Sequence, residues 1–204
     1  MSQAKILNSQ ELRRVLDYVA TRKHSARNRA MLLLTHFAGM RVAEVASLRL
    51  CDVLNDSGSI KEEVRLKPDQ TKGKYARTVY LNLRMQKELS QYIKCIKTSD
   101  LQKPLFYTQK RESFSPNTLA QYFLFLYRSV GIEGASSHSG RRSFLTHLAN
   151  KGTSIHILKS LAGHRNISTT AAYLYSSPDQ LKAAVELVWL LTLLRFRLLF
   201  GDDL

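Results

Sequence analysis

The sequence predicts a mainly helical α+β domain, a helical bundle with a small three-stranded antiparallel sheet. Three observations lead there. Apolar residues recur at three- and four-residue spacing through most of the 204 residues. Only residues 51–82 switch to alternation between turn signals. The length suits one domain, or one domain with a small appendage.

Taken in order, Ser9 is a suitable N-cap for a helix with Leu12, Val15, Leu16 and Val19 on one face. A second helix runs from about Ser25 through Met31-Leu32-Leu33-Leu34 and stops at Gly39, where glycine can take the left-handed conformation that ends helices. A third begins just after Arg41. The sheet region opens with the turn residues Asn55-Asp56-Ser57-Gly58. It continues through Val64 and Leu66, the basic hairpin Thr71-Lys72-Gly73-Lys74, and Val79 and Leu81. Helices resume over Arg84 to Lys97, and Ser115-Pro116 opens another that closes at Gly131. Shorter ones fit Ser137 to Asn150, Ser154 to Ala162 and Asn166 to Tyr175, and a last helix follows Ser177-Pro178.

The charge is lopsided: 31 Lys+Arg against 16 Asp+Glu leave +15, with 44% hydrophobic residues overall. Generic disorder and an acidic partner surface are thereby excluded, and a polyanionic partner, nucleic acid first, is indicated. Met1-Ser2-Gln3-Ala4-Lys5 has no apolar leader. Cys51 and Cys95 are too few for a disulfide scaffold and lack zinc-site spacing. A reduced cytoplasmic setting is the expectation. The apolar run Leu187 to Leu194 is far short of the roughly 20 residues that span a bilayer, so no membrane partner is expected.

Chemistry concentrates near the C-terminal end. From Gly134 to Pro178 there is no acidic residue, while Arg141, Arg142, Lys151, Lys159, Arg165 and four of the six histidines fall inside the stretch. His138 and Arg141, three apart at a helix start, can project from one face. His164 follows a helix-ending Gly163, with Tyr173 nine residues on.

These segments, taken together, resemble the tyrosine recombinase, or lambda-type phage integrase, family. Ala38-Gly39-Met40-Arg41-Val42-Ala43-Glu44-Val45 resembles its first arginine motif. Thr71-Lys72-Gly73-Lys74-Tyr75-Ala76-Arg77-Thr78-Val79 resembles its lysine hairpin, with Lys72 the better match and Lys74 the rival. His138-Ser139-Gly140-Arg141 is similar to its His-x-x-Arg box. Leu161-Ala162-Gly163-His164 through Ile167-Ser168-Thr169-Thr170-Ala171-Ala172-Tyr173 is similar to its second histidine and nucleophile. All occur in order across residues 8–178, which sets a catalytic domain at 1–180 and an apolar C-terminal helix or tail at 181–204.

The resemblance implies a site-specific recombinase that cuts and rejoins duplex DNA through a covalent 3′-phosphotyrosyl link, with no cofactor and no metal. The physical logic agrees, because breaking a phosphodiester this way needs an oxygen nucleophile, cations on the non-bridging oxygens and an acid for the leaving oxygen. Arg41 and Arg141 are planar forks suited to phosphate. His164 adds a hydrogen bond, His138 assists proton transfer, Lys72 protonates the leaving 5′ oxygen and Tyr173 attacks. A tyrosine with pKa of about 10 needs such a cationic pocket. Lys74, Arg77, Arg142 and Arg165 are expected to bind the DNA backbone.

Each residue also has a plainer reading. Arg41 could simply pair with Glu44 on its own helix. Tyr175 is the rival nucleophile, although two residues along a helix turn a side chain by about 200°. His147 and His156 read as ordinary surface or core histidines, and Tyr122, Phe123, Phe125, Tyr127 and Trp189 as packing. A non-catalytic DNA-binding regulator and a nicking and resealing topoisomerase are the competing functions.

Larger members of the family carry an N-terminal clamp domain, and the resemblance here is to the single-domain members. Weak DNA binding alone, a homo-oligomer on DNA such as a tetrameric synapse, and an accessory DNA-bending protein are therefore expected, with action at the bacterial nucleoid. Val185 to Phe200 holds twelve apolar residues in sixteen. It reads either as a helix docking on a neighbouring protomer or as a core helix.

Overall fold

The computed structural model describes residues 3–98, 100–109, 112–174, 182, 185 and 186. It divides into two compact units, 1–173 and 174–204. The second contains only Leu174, Lys182, Val185 and Glu186 among described residues, with Val185 exposed. The expected helix after Ser177-Pro178, the rival Tyr175 and the apolar run through Trp189 to Phe200 lie outside the described residues.

In the first unit, α1 (Ser9–Ala20) is capped by Asn8 rather than by Ser9. Its side chain accepts the Glu11 N–H while the Glu11 carboxylate takes the Asn8 N–H, a reciprocal capping box. Helix α2 (Ser25–Phe37) is buried along most of its length, as its four consecutive apolar residues require, and packs against α1, α5 (Leu83–Ile93) and α7 (Ser139–Asn150). It is the post on which these three helices lean. Helix α3 (Val42–Ser47) follows Arg41, and a single turn, α4 (Leu50–Val53), occupies ground expected to start the sheet region. The remaining helices are α6 (Pro116–Ser129), opened by Ser115 as expected, α8 (Ile155–Ala162) and α9 (Ile167–Ala171).

The sheet has two strands among the described residues, not three. β1 (Glu63–Leu66) and β2 (Arg77–Tyr80) pair antiparallel, Glu63 opposite Tyr80 and Leu66 opposite Arg77. Val64, Leu66 and Val79 turn inward to the core. The third strand shrinks to one bridge, Leu54 to Ile60, because the polar turn between them folds on itself. Asn55 Oδ1 accepts from the Ser59 N–H and the Ser57 hydroxyl, which leaves little backbone for a ladder.

Two of the expected helices end early. Lys94 caps α5, short of Lys97, and Ala172 caps α9, which frees Tyr173 from a continuous helix. The core runs through Leu7, Val15, Val19, Leu32, Phe106, Phe123 and Tyr127, and a smaller cluster of Leu145, Leu158 and Ala162 sits under α7 and α8 with Tyr173 packed on it.

Candidate active site

Helix α7 meets α2 at very short range, and this fixes where Arg141 emerges. Gly140 faces Thr35 and His36; a Cβ there would lie 2.8 Å from Thr35 Cβ and 2.9 Å from His36 Cδ2, with Thr35 Oγ1 closer still. The glycine of the His-x-x-Arg box is thus a packing requirement. Arg141, 5% exposed, then reaches across to two backbone carbonyls, Gly39 O at 2.6 Å and Ala162 O at 2.5 Å. Two carbonyls from different segments hold the guanidinium plane.

The second carbonyl belongs to the end of α8, which stops in a Schellman motif. Gly163 has φ +58°, its N–H bonds Ser160 O, and the His164 N–H bonds Lys159 O. That turn aims His164 back at Arg141, whose Nη2 lies 3.1 Å from His164 Nε2, while His164 Nδ1 lies 3.0 Å from Thr170 Oγ1. A guanidinium can only donate, so Nε2 accepts and Nδ1 carries the proton toward Thr170. Burial, then the charges of Arg141, Arg41 and Arg77, lower the His164 pKa to about 4. At neutral pH the ring is uncharged. Burial first, then Arg41 and Arg77, also draw the Arg141 guanidinium below its ordinary value, though it stays protonated. The Tyr173 ring stacks on His164 with centroids 5.9 Å apart and planes 22° from parallel.

Arg41 stands at the N-cap of α3. Its N–H and Nη1 both donate to Glu44, at 2.8 and 2.9 Å, so the plainer pairing with Glu44 is real and coexists with a place in the site. Glu44 is completely buried. Burial alone would raise its carboxyl, but Arg77 and Arg41 reverse this and hold it below the ordinary carboxylate range. A cleft of about 420 Å³ opens on this network, lined by Arg41, Lys72, Arg77, His164 and Arg165 among others. A larger depression of about 570 Å³, bordered by Arg49, Lys67 and the start of α6, holds none of the six expected catalytic groups.

The structure brings Arg41, Arg141, His164 and Tyr173 together and sets Lys72 on the cleft's exposed hairpin rim. His138 is exposed at the N-cap of α7, outside the hydrogen bonds that unite the others. Lys74 is exposed with φ +54°, and Arg165, which lines the cleft, lies over the Tyr75 ring at 4.4 Å. Arg142 bonds Gln3. Arg77 faces inward to Glu44, its side chain 8% exposed. Thr170, fully buried, is the group that sequence reasoning passed over. Its signal was the run Ser168-Thr169-Thr170, too generic to single one out.

The chain is similar in sequence and in fold to known proteins. At 32% identity over 186 residues the chain is similar to the tyrosine recombinase XerA of Thermococcus kodakarensis, covering 89% of this chain and 62% of that protein. At 30% over 185 residues it is similar to XerA of Pyrococcus furiosus (89% and 61%), and at 27% over 194 residues to XerD of Rickettsia prowazekii (88% and 61%). It therefore spans about three fifths of these relatives' length. The fold matches a crystal structure of XerA recombinase, with TM-score 0.72, 21% identity and coverage of 90% of this chain and 65% of that one. It also matches the Tn1549 transposon integrase in complex with circular intermediate DNA, with TM-score 0.75, 18% identity and coverage of 91% and 66%. The phage integrase family model matches residues 5–180, and the chain belongs to that family.

Proposed function

We propose that the protein is a site-specific DNA recombinase that cleaves and rejoins duplex DNA through Tyr173. The observation that carries this is the Arg141 guanidinium, held by the Gly39 and Ala162 carbonyls and bonded to a neutral His164 on which Tyr173 stacks. A scissile phosphate in the cleft would present its non-bridging oxygens to Arg41 and Arg141, while His164, with both ring nitrogens engaged by Arg141 and Thr170, holds the Arg141 fork in place rather than donating to the phosphate. The Tyr173 hydroxyl gives up its proton to solvent, with His138 assisting, as its oxygen bonds phosphorus; the bond to the 5′ oxygen breaks, and that oxygen takes a proton from Lys72 on the hairpin. The phosphotyrosyl ester keeps the bond energy, so a second 5′-hydroxyl can reverse the step on another strand. Each preorganised donor contributes about 3 to 4 kcal/mol in the transition state.

His138, from the N-cap of α7, assists proton transfer once DNA fills the cleft, and Lys74, Arg142 and Arg165 carry backbone contacts. Strand exchange needs cleaved ends from different duplexes to meet, so a homo-oligomer on DNA, a tetramer in the simplest closed arrangement, completes the reading. Residues 181–204 are the segment that would dock on the neighbouring protomer, and an accessory DNA-bending protein would supplement weak binding. The relatives named tyrosine recombinase and the neighbour solved on DNA support the substrate class. The test is incubation with a pool of nicked duplexes carrying randomised arms, followed by denaturing gels. A covalent adduct with a free 5′-hydroxyl on the released strand is expected; non-covalent binding alone favours the regulator. Relaxation of supercoiled DNA without any joining between duplexes favours the topoisomerase.

A further inference from the structure

Arg77 sits where the lysine hairpin re-enters the sheet, and although it lines the cleft its guanidinium is turned inward. Its Nε and Nη2 donate to Glu44 at 3.0 and 2.7 Å, a two-point clamp, and its remaining nitrogen, Nη1, donates to Leu161 O at 2.8 Å. Glu44 is the same carboxylate that holds the Arg41 N–H and Nη1. Leu161 is the residue before Ala162, whose carbonyl holds Arg141. Two successive carbonyls at the end of α8, groups that no helical N–H can satisfy, are thus each taken by an arginine.

The turn that follows is shaped to this contact. A Cβ on Gly163 would lie 2.5 Å from Arg77 Cδ, so the residue that aims His164 must be glycine partly because Arg77 runs against it. One side chain therefore touches the support of Arg41 and the support of His164. We propose that Arg77 is a positioning residue that sets the distance between Arg41 and His164 across the scissile phosphate, rather than a contact to the DNA backbone. This rests on the strand-cleavage reading. Its planar fork spans α3, α8 and β2 in a way that the single ammonium of lysine cannot reproduce.

The test compares wild type with Arg77→Lys, which keeps the charge, and Arg77→Gln, which does not. Adduct formation is followed in single turnover at saturating protein, on a nicked duplex captured from the randomised pool and at a temperature where each variant is folded. Dissociation constants are measured at several salt concentrations. A positioning role predicts that Arg77→Lys binds with unchanged affinity and salt slope but cleaves on the order of tenfold to a hundredfold more slowly. A lower affinity with unchanged saturated cleavage, and a salt slope reduced by about one in Arg77→Gln, would overturn it in favour of a phosphate contact. Wild-type cleavage in Arg77→Lys would overturn it too. If Arg77→Gln fails to fold, Arg77→Lys decides alone. If wild type forms no adduct, the cleavage reading fails, and NMR of the His164 imidazole in free Arg77→Lys still decides. A moved resonance and altered titration support the link, and an unchanged one refutes it.

Discussion

Gly140→Ala would test how tightly the site depends on the contact between α2 and α7. The new methyl would sit 2.8 Å from Thr35 Cβ and 2.9 Å from His36 Cδ2, and closer to Thr35 Oγ1, where ordinary contacts begin near 3.4 Å. Both helices are buried there, and Thr35 Oγ1 is bonded to Leu32 O, so neither neighbour can swing away cheaply. Clearing Thr35 Cβ alone needs roughly 0.6 Å and clearing the nearer Thr35 Oγ1 needs more than 1 Å, and overpacking of this kind costs about 1 to 3 kcal/mol. For a domain of this size that lowers Tm by about 2 to 12 °C. Arg141 is the next residue, clamped at 2.6 and 2.5 Å to carbonyls that do not move with α7. Its displacement should slow adduct formation on the order of a hundredfold below the unfolding temperature. The assays are thermal unfolding and single-turnover cleavage, with Thr35→Ala added to remove the nearest atoms and restore part of both. A Gly140→Ala protein with wild-type Tm and wild-type cleavage would refute the packing argument.

Arg141→Lys should depress saturated cleavage far more than DNA affinity, because it keeps charge but loses the fork; equal losses in both would make Arg141 a positioning contact. His36 is buried, 3.4 Å from the Tyr127 hydroxyl, and burial followed by the His147 charge lowers its pKa to about 3. The folded state refuses a proton that the unfolded state accepts below about 6.5. Stability is therefore complete above that pH and falls by about 1.4 kcal/mol per unit as the pH drops toward 3. Between pH 7.5 and 5, urea unfolding should show a loss of stability about 2 kcal/mol smaller in a His36→Leu variant than in wild type, the part that remains including that of His164; equal losses in the two proteins would contradict this. Binding to DNA should weaken steeply with added salt, and cleavage should persist in EDTA. A strict divalent-cation requirement for cleavage would reject the mechanism.

Residue type and order singled out Arg41, Arg141, His164 and Tyr173, which the fold then gathers in one place, since spaced motifs survive even when the helices between them are misjudged by a turn. The helices were legible from periodicity, and α6 from its Ser115-Pro116 start. Three features were not. The third strand fails because a polar turn satisfies itself locally, which alternation cannot reveal. Arg77 reads as surface charge in a basic hairpin, and only its partner Glu44, 33 residues away, shows it to be inside. Thr170 matters through one hydrogen bond to His164, set by where α8 ends and not by any local signal.

The most direct measurement is the identity of the residue that becomes attached to DNA. Covalent complexes captured on the nicked, randomised pool would be digested and the nucleotide-bearing peptide sequenced by mass spectrometry. The attachment is predicted on Tyr173, and it should vanish in Tyr173→Phe with non-covalent DNA binding retained. A nucleotide on Tyr175, or an adduct that survives Tyr173→Phe, would contradict the account.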